Sequence, residues 1–250
     1  MKLTTTIALL GLLVAPLGSS LADEGRMLAD ELTNAPGRSD EDKARDAQRK
    51  PDQVLTFLGI RSGDTVLDIW ASGGWYSEVL SIAVGPEGKV YAQNSPAVLA
   101  FRDGYYDKAI GERLAGDRLP NVERINTTVA ESGLTPASVD FAFTALNFHD
   151  VYNRQGKEGA AAFLEAVFDV LKPGGTMGLI DHVGDADADN TSLHRVEPSL
   201  VYEVAIEAGF IVEAKSDLLA HPEDDHTRGV FDPTLRGETD RFVYRLRKPE

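Results

Sequence analysis

Apolar positions along residues 51–247 switch repeatedly between short unbroken runs and a spacing of three to four. After Pro51, which suits the first turn of a helix, Val54, Leu55 and Leu58 share one helical face and Gly59 supplies the stop. Thr65 to Trp70 (TVLDIW) is a short apolar strand, Ala71-Ser72-Gly73-Gly74 a tight loop, and Trp75 to Ala83 a helix through Tyr76, Val79, Leu80 and Ala83. The alternation continues with a strand at 89–93, a helical, aromatic-containing connection at 96–116, a strand at 122–126, an irregular segment, and a strongly apolar strand at 139–146. Residues 158–171 place Phe163, Val167, Val170 and Leu171 on one helical face, and Lys172-Pro173-Gly174-Gly175 ends that helix. A strand at 176–181, a helix from Pro198 to Gly209 and a strand at 210–216 follow. Residues 241–247 alternate Phe242, Tyr244 and Leu246 with arginines, the pattern of a half-exposed strand. Repeated βα units with a terminal hairpin-like pair predict a single α/β domain, with a mainly parallel sheet and helices on both faces.

Upstream the pattern changes. Lys2, the nearly unbroken apolar run Ile7–Val14 and Ser20-Leu21-Ala22 have the order of a charged start, an apolar core and a small-residue cleavage site. Residues 1–22 are therefore expected to be a signal peptide cleaved after Ala22, leaving a periplasmic or secreted protein with no stable membrane association. The run is too short to span a bilayer, and no later stretch is long and apolar enough to do so. Residues 23–50 read as a polar helical extension, linker-like to residue 38. Ser39-Asp40-Glu41-Asp42 then forms a capping box that opens a charged helix to about Lys50. Residues 51–250 make up the domain.

Composition narrows the chemistry. The 250 residues hold 40 acidic against 25 basic side chains, a formal net charge of −15 that becomes one unit more negative when Lys2 leaves with residues 1–22. That charge repels phosphate backbones, which argues against a nucleic-acid partner and towards a small-molecule one. No cysteine is present, which removes disulfides, thiolate metal sites and cysteine nucleophiles. Neither a G-x-S-x-G elbow nor a phosphate-binding G-x-x-x-x-G-K-[ST] loop occurs. Asp185 to Asn190 superficially resembles a calcium loop but lacks its glycine and its closing glutamate, and reads as a solvated acidic turn.

The order of these elements resembles the class I methyltransferase family, which binds S-adenosyl-L-methionine. Val66-Leu67-Asp68-Ile69 with the Gly73-Gly74 loop sits where that family has its first cofactor motif. Leu171-Lys172-Pro173-Gly174-Gly175 resembles the junction into its fifth strand, and Glu207-Ala208-Gly209-Phe210 the junction into its sixth. The stretch from Asp68 to Tyr76 and the ending from Asp224 to Phe242 resemble a bacterial subgroup of predicted methyltransferases, many with export signals. The resemblance implies a seven-stranded Rossmann-like sheet with the last strand antiparallel, and S-adenosylmethionine as cofactor. It implies a binding surface at Asp68, Trp70, Ser72, Gly73, Gly74, Asn94 and Thr128. Trp70 and Ser72 stand where the family pattern has glycines, and Gln93-Asn94 where it has a ribose-binding acid. Trp70, Trp75 or Tyr76 could face the sulfonium as cation–π partners, though large aromatics are commonly buried for area alone.

All five histidines fall in segments that such a fold delivers to the carboxyl edge of the sheet, where ligands bind. His149, Asp181 and His182 come from neighbouring strands, and His149 or His182 is the expected general base for methyl transfer to a small molecule. Two alternatives stand beside this reading. One is a catalytically degenerate binding protein on the same fold. The other is a metal-dependent enzyme using His149, His182 and His226 with Asp181 or Asp225.

Overall fold

The structure is a computed structural model that describes residues 21–250, with side chains from residue 25. The signal peptide expected at 1–22 lies outside the described residues except for the first turn of α1. Seven strands form one sheet: β1 (Thr65–Ile69), β2 (Lys89–Gln93), β3 (Val122–Ile125), β4 (Val139–Ala145), β5 (Leu171–His182), β6 (Ile211–Ser216) and β7 (Arg241–Arg247). Their order is β3-β2-β1-β4-β5-β7-β6. Every pair is parallel except those made by β7, which runs antiparallel to both β5 and β6.

The helices are α1 (Leu21–Asn34), α2 (Asp40–Ala44), α3 (Asp46–Arg49), α4 (Pro51–Leu58), α5 (Trp75–Val84), α6 (Pro96–Leu99), α7 (Phe101–Leu114), α8 (Phe148–Val170), α9 (Asn190–Leu193) and α10 (Pro198–Glu207). The period-two alternation of the strands sorts their side chains between two cores. Val66, Phe141, Phe143, Ile180 and Val243 meet α1, α4 and α5 on one face of the sheet. Leu67, Ile69, Ala142, Met177, Leu179, Tyr244 and Leu246 meet α8 and α10 on the other. Gly178 lets α4 approach this closely, because a Cβ there would stand 2.5 Å from Leu58 Cδ1.

The expected fold is present, and four local readings are corrected. Residues 23–38 are not a linker: α1 runs through Asn34 and buries Leu32 in the core beneath α5. The charged helix at 40–50 divides into α2 and α3, although Ser39 caps α2 as expected by accepting from Asp42 N–H. Helix α8 begins ten residues earlier than the apolar spacing implied, with a break at Gly156 (φ 68°). Strand β7 is not half-exposed, because it lies between β5 and β6 and buries even Arg241. Among the described residues no helix is long and apolar enough to cross a membrane.

Candidate functional site

The loop after β1 keeps a glycine-like backbone despite its side chains. Trp70 and Ser72 both sit at φ 53° and Gly74 at φ 78°, in the left-handed region that glycine enters most easily. The two amide side chains at the end of β2 hold it there. Gln93 Oε1 accepts from Trp70 N–H at 3.1 Å, and its Nε2 donates to the Thr127 carbonyl at 2.5 Å. Asn94 Oδ1 accepts from Ser72 N–H at 2.8 Å while its Nδ2 donates to the Ser72 carbonyl at 3.1 Å. Below the loop, Arg113 donates to the Gly73 carbonyl and fills the space beside Gly74, where a Cβ would stand 3.0 Å from Arg113 Cδ.

These contacts reassign several sequence-derived site residues. Asn94 was expected at a ribose; its amide is instead committed to the loop backbone. Asp68 lies under the loop rather than on its surface, hydrogen-bonded by Ser77 Oγ at 2.6 Å, and burial pushes its pKa up to about 7. Thr128 is exposed and donates to Glu131. Trp70 packs against the α8-side core, with its carbonyl accepting from Asn147 Nδ2 at 3.3 Å. Trp75 and Tyr76 are buried, with Arg49 over both rings at 4.7 and 5.5 Å from the centroids and Arg38 5.8 Å from that of Trp75. Of the loop amides from Trp70 to Gly74, that of Gly73 has no acceptor among the described residues, while the others bond to Gln93, Asn94 or Ala71. A ligand at this loop would meet the Gly73 N–H as a donor, while the Gln93 and Asn94 amides are engaged with the protein.

The second half of the site is built at the ends of β4 and β5. The Asp181 carboxylate is fully buried and accepts three hydrogen bonds: His149 N–H at 2.7 Å, the His149 ring at Nδ1 at 2.8 Å, and His182 N–H at 2.7 Å. It therefore caps the amino end of α8 and orients the His149 ring at once, the helix end favouring its negative charge. Burial opposes a charge on His149, but the adjacent Asp181 carboxylate outweighs it and raises the imidazole pKa above its ordinary value. His182 behaves oppositely. Its Nδ1 is hydrogen-bonded to Thr239 Oγ1 at 2.8 Å, and burial, followed by the charges of His149, Arg241 and Arg195, pushes its pKa well down. His182 thus binds a proton poorly, so His149 is the better placed base of the two.

The other histidines divide. His194 stands with His149, their ring centroids 5.6 Å apart, and Asp150 lies near both. His226 does not join them: it bonds Asp185 at 3.0 Å and Asp240 at 3.2 Å, so the grouping of His149, His182 and His226 is corrected. Asp225 likewise turns away, accepting from Thr227. The acidic residues of the 218–240 loop are partly internal. Asp224 is buried against Arg195, itself fully buried, with Nη2 at 3.0 and 2.9 Å from the two carboxylate oxygens. Two features had no signal in the sequence. One is the pairing of Asp150 with both rings. The other is an ion cluster of Arg113, Arg118, Glu78 and Asp42 that fastens α2 to α5 and α7.

No family model matches the chain. A curated relative, the ribosomal RNA large subunit methyltransferase E of Myxococcus xanthus, is 31% identical over 75 residues, which are 30% of this chain and 35% of that protein. The chain thus matches about a third of that relative's length. Among solved structures, an S-adenosylmethionine-dependent methyltransferase from Aquifex aeolicus superposes with a TM-score of 0.60 at 23% identity, covering 89% of this chain and 97% of that one. The 4+2 cyclase SpnF superposes with a TM-score of 0.59 at 16% identity, covering 94% and 98%. These likenesses show the fold, and that fold is the Rossmann-like fold of class I methyltransferases.

Proposed function

We propose that the protein is an S-adenosylmethionine-dependent methyltransferase acting on a small molecule. The observation that carries this reading is the meeting, at one sheet edge, of the left-handed loop after β1 with the His149–Asp181 pair. Asn147 bridges the two halves by donating to the Trp70 carbonyl. Gly73 is the residue that would hold the cofactor's amino-acid half, through its backbone N–H, which has no acceptor among the described residues. The chemistry supplied there is an electrophilic methyl group. The chain's own part is to position the acceptor and receive its proton. Asp181 fixes the His149 tautomer with hydrogen on Nδ1, leaving the Nε2 lone pair to take a proton from an acceptor oxygen or nitrogen. The net charge of −15 disfavours an RNA acceptor and supports a small molecule. Lys2, the apolar run and Ser20-Leu21-Ala22 support export of the chain to the periplasm or beyond.

One observation favours a second reading. Gln93 and Asn94 already occupy the Trp70 and Ser72 backbone groups and the ribose position, as they would in a protein that keeps the methyltransferase fold for ligand binding or another reaction. SpnF, named as a cyclase, is a neighbour of that kind. Calorimetric titration of the full chain with S-adenosylmethionine and S-adenosylhomocysteine separates the two. The methyltransferase reading expects both to bind below millimolar concentration; if neither does, it is abandoned for the second.

A further inference from the structure

We propose that His149, Asp150 and His194 form a binding site for a first-row transition-metal dication, with Asp181 as the buried carboxylate that holds the His149 ring for the ion. The site stands on side-chain geometry alone and does not depend on methyl transfer. One potential ligand atom from each of the three residues lies within 4.8 Å of the other two. Asp150 stands between the rings, 3.9 Å from His149 Nε2 and 3.8 Å from His194 Nδ1. Donors around an ion with metal–nitrogen bonds of about 2.1 Å sit about 3.4 Å apart in tetrahedral geometry, so closure asks for movements of under about 1.5 Å. Asp150 and His194 can move that far, because their side chains are 27% and 35% exposed while His149 is fixed in the interior.

The fixing of His149 is the second, independent observation. Histidines that bind metals usually donate their other ring nitrogen to a carboxylate, which sets the tautomer and makes the ligating nitrogen more basic. Asp181 does this to Nδ1 at 2.8 Å and at the same time holds the residue's backbone N–H, leaving Nε2 directed at Asp150. His194 reaches the site at the end of α9 with φ 54°, a conformation that is sparsely populated for a residue with a side chain, and its ring rests on Phe231 at 4.9 Å. The competitor for Asp150 is Arg154, at 3.2 Å one helical turn on. That arginine is 68% exposed, and a solvated pair of this kind is readily exchanged.

Two imidazoles and one carboxylate suit zinc, cobalt, nickel, iron(II) or manganese, and not the all-oxygen shells of calcium or magnesium. Three protein ligands leave at least one position open to solvent or to a ligand oxygen. An occupied site changes what the edge offers an incoming molecule, because Nε2 is then a ligand and the ion a Lewis acid.

The test is titration of the metal-stripped full chain with zinc by calorimetry, and with cobalt(II) by visible absorption. One equivalent is expected to bind at micromolar affinity. Asp150→Asn and His194→Ala, at half-buried positions, should each weaken binding by tenfold or more, with unfolding curves run beside them to show that each variant is folded. Asp181→Asn should weaken it by about 10- to 100-fold through the ring it orients, and His226→Ala should leave it unchanged. Absence of one-equivalent binding below millimolar metal overturns the proposal, as does binding that Asp150→Asn and His194→Ala do not alter. No cofactor enters these titrations, so their failure leaves the methyltransferase reading untouched, and failure of S-adenosylmethionine to bind leaves this one untouched.

Discussion

At the scale of single residues, the molecule places ionisable groups where burial decides their charge. Asp68 is the clearest case: desolvation lifts its pKa to about 7 against the pull of the Ser77 hydroxyl. An acid whose folded-state pKa lies above its unfolded value binds protons more tightly when folded, so stability falls as pH rises from about 4 to 7 and stays reduced above. Asp68→Asn keeps an acceptor for Ser77 and removes the charge. In urea unfolding the variant is expected to match the wild type near pH 4 and to exceed it by about 4 kcal/mol at pH 8. Equal stabilities at pH 8 would show that Asp68 is solvated. The histidines show which part of a site a sequence reveals. Topology alone delivers His149, His182 and Asp181 to one edge, because β4 and β5 are neighbours. Their separate roles follow from Asp181 and Thr239 hydrogen bonds that depend on ring orientation, and no spacing encodes that.

At the scale of elements, strands and late helices were legible because their apolar periods are long and end in glycine or proline. The first turns of α8 were not. Phe148 to Gln155 is largely polar, and its start is held by an Asp181 carboxylate that arrives from β5. The loop after β1 was legible as a loop, but its brace was not: Asn94 looks like a weakened ribose ligand in sequence and is a backbone clamp in structure. Asn94→Ala strips the Ser72 N–H and carbonyl of their partners and leaves Ser72, in its left-handed conformation, with only the hydrogen bond from its own hydroxyl to the Trp70 carbonyl. The expected loss is about 2 kcal/mol of unfolding free energy, with faster amide exchange at Ser72 and Gly73. Unchanged exchange there would mean the loop holds its shape without the clamp.

At the scale of the whole molecule, the N-terminal segment is part of the domain that carries the site. Arg113 ties Asp42 of α2, Glu78 of α5 and the Gly73 carbonyl together, and Trp75 Nε1 donates to the Asp42 carbonyl at 3.0 Å. Arg113→Ala leaves Glu78 almost fully buried with Arg118 as its remaining partner. About 2–3 kcal/mol should be lost, and limited proteolysis should cut first between α1 and α4; cleavage elsewhere first would show that the segment docks by other means. If this edge receives S-adenosylmethionine, its ligand meets the Gly73 amide, which has no acceptor among the described residues. In a nitrogen-15 NMR titration of the full chain with S-adenosylhomocysteine, saturable shifts are expected to be largest at Gly73 and its neighbours Ser72 and Gly74. Saturation of the ligand with the Gly73 resonance unmoved would contradict this reading of the edge.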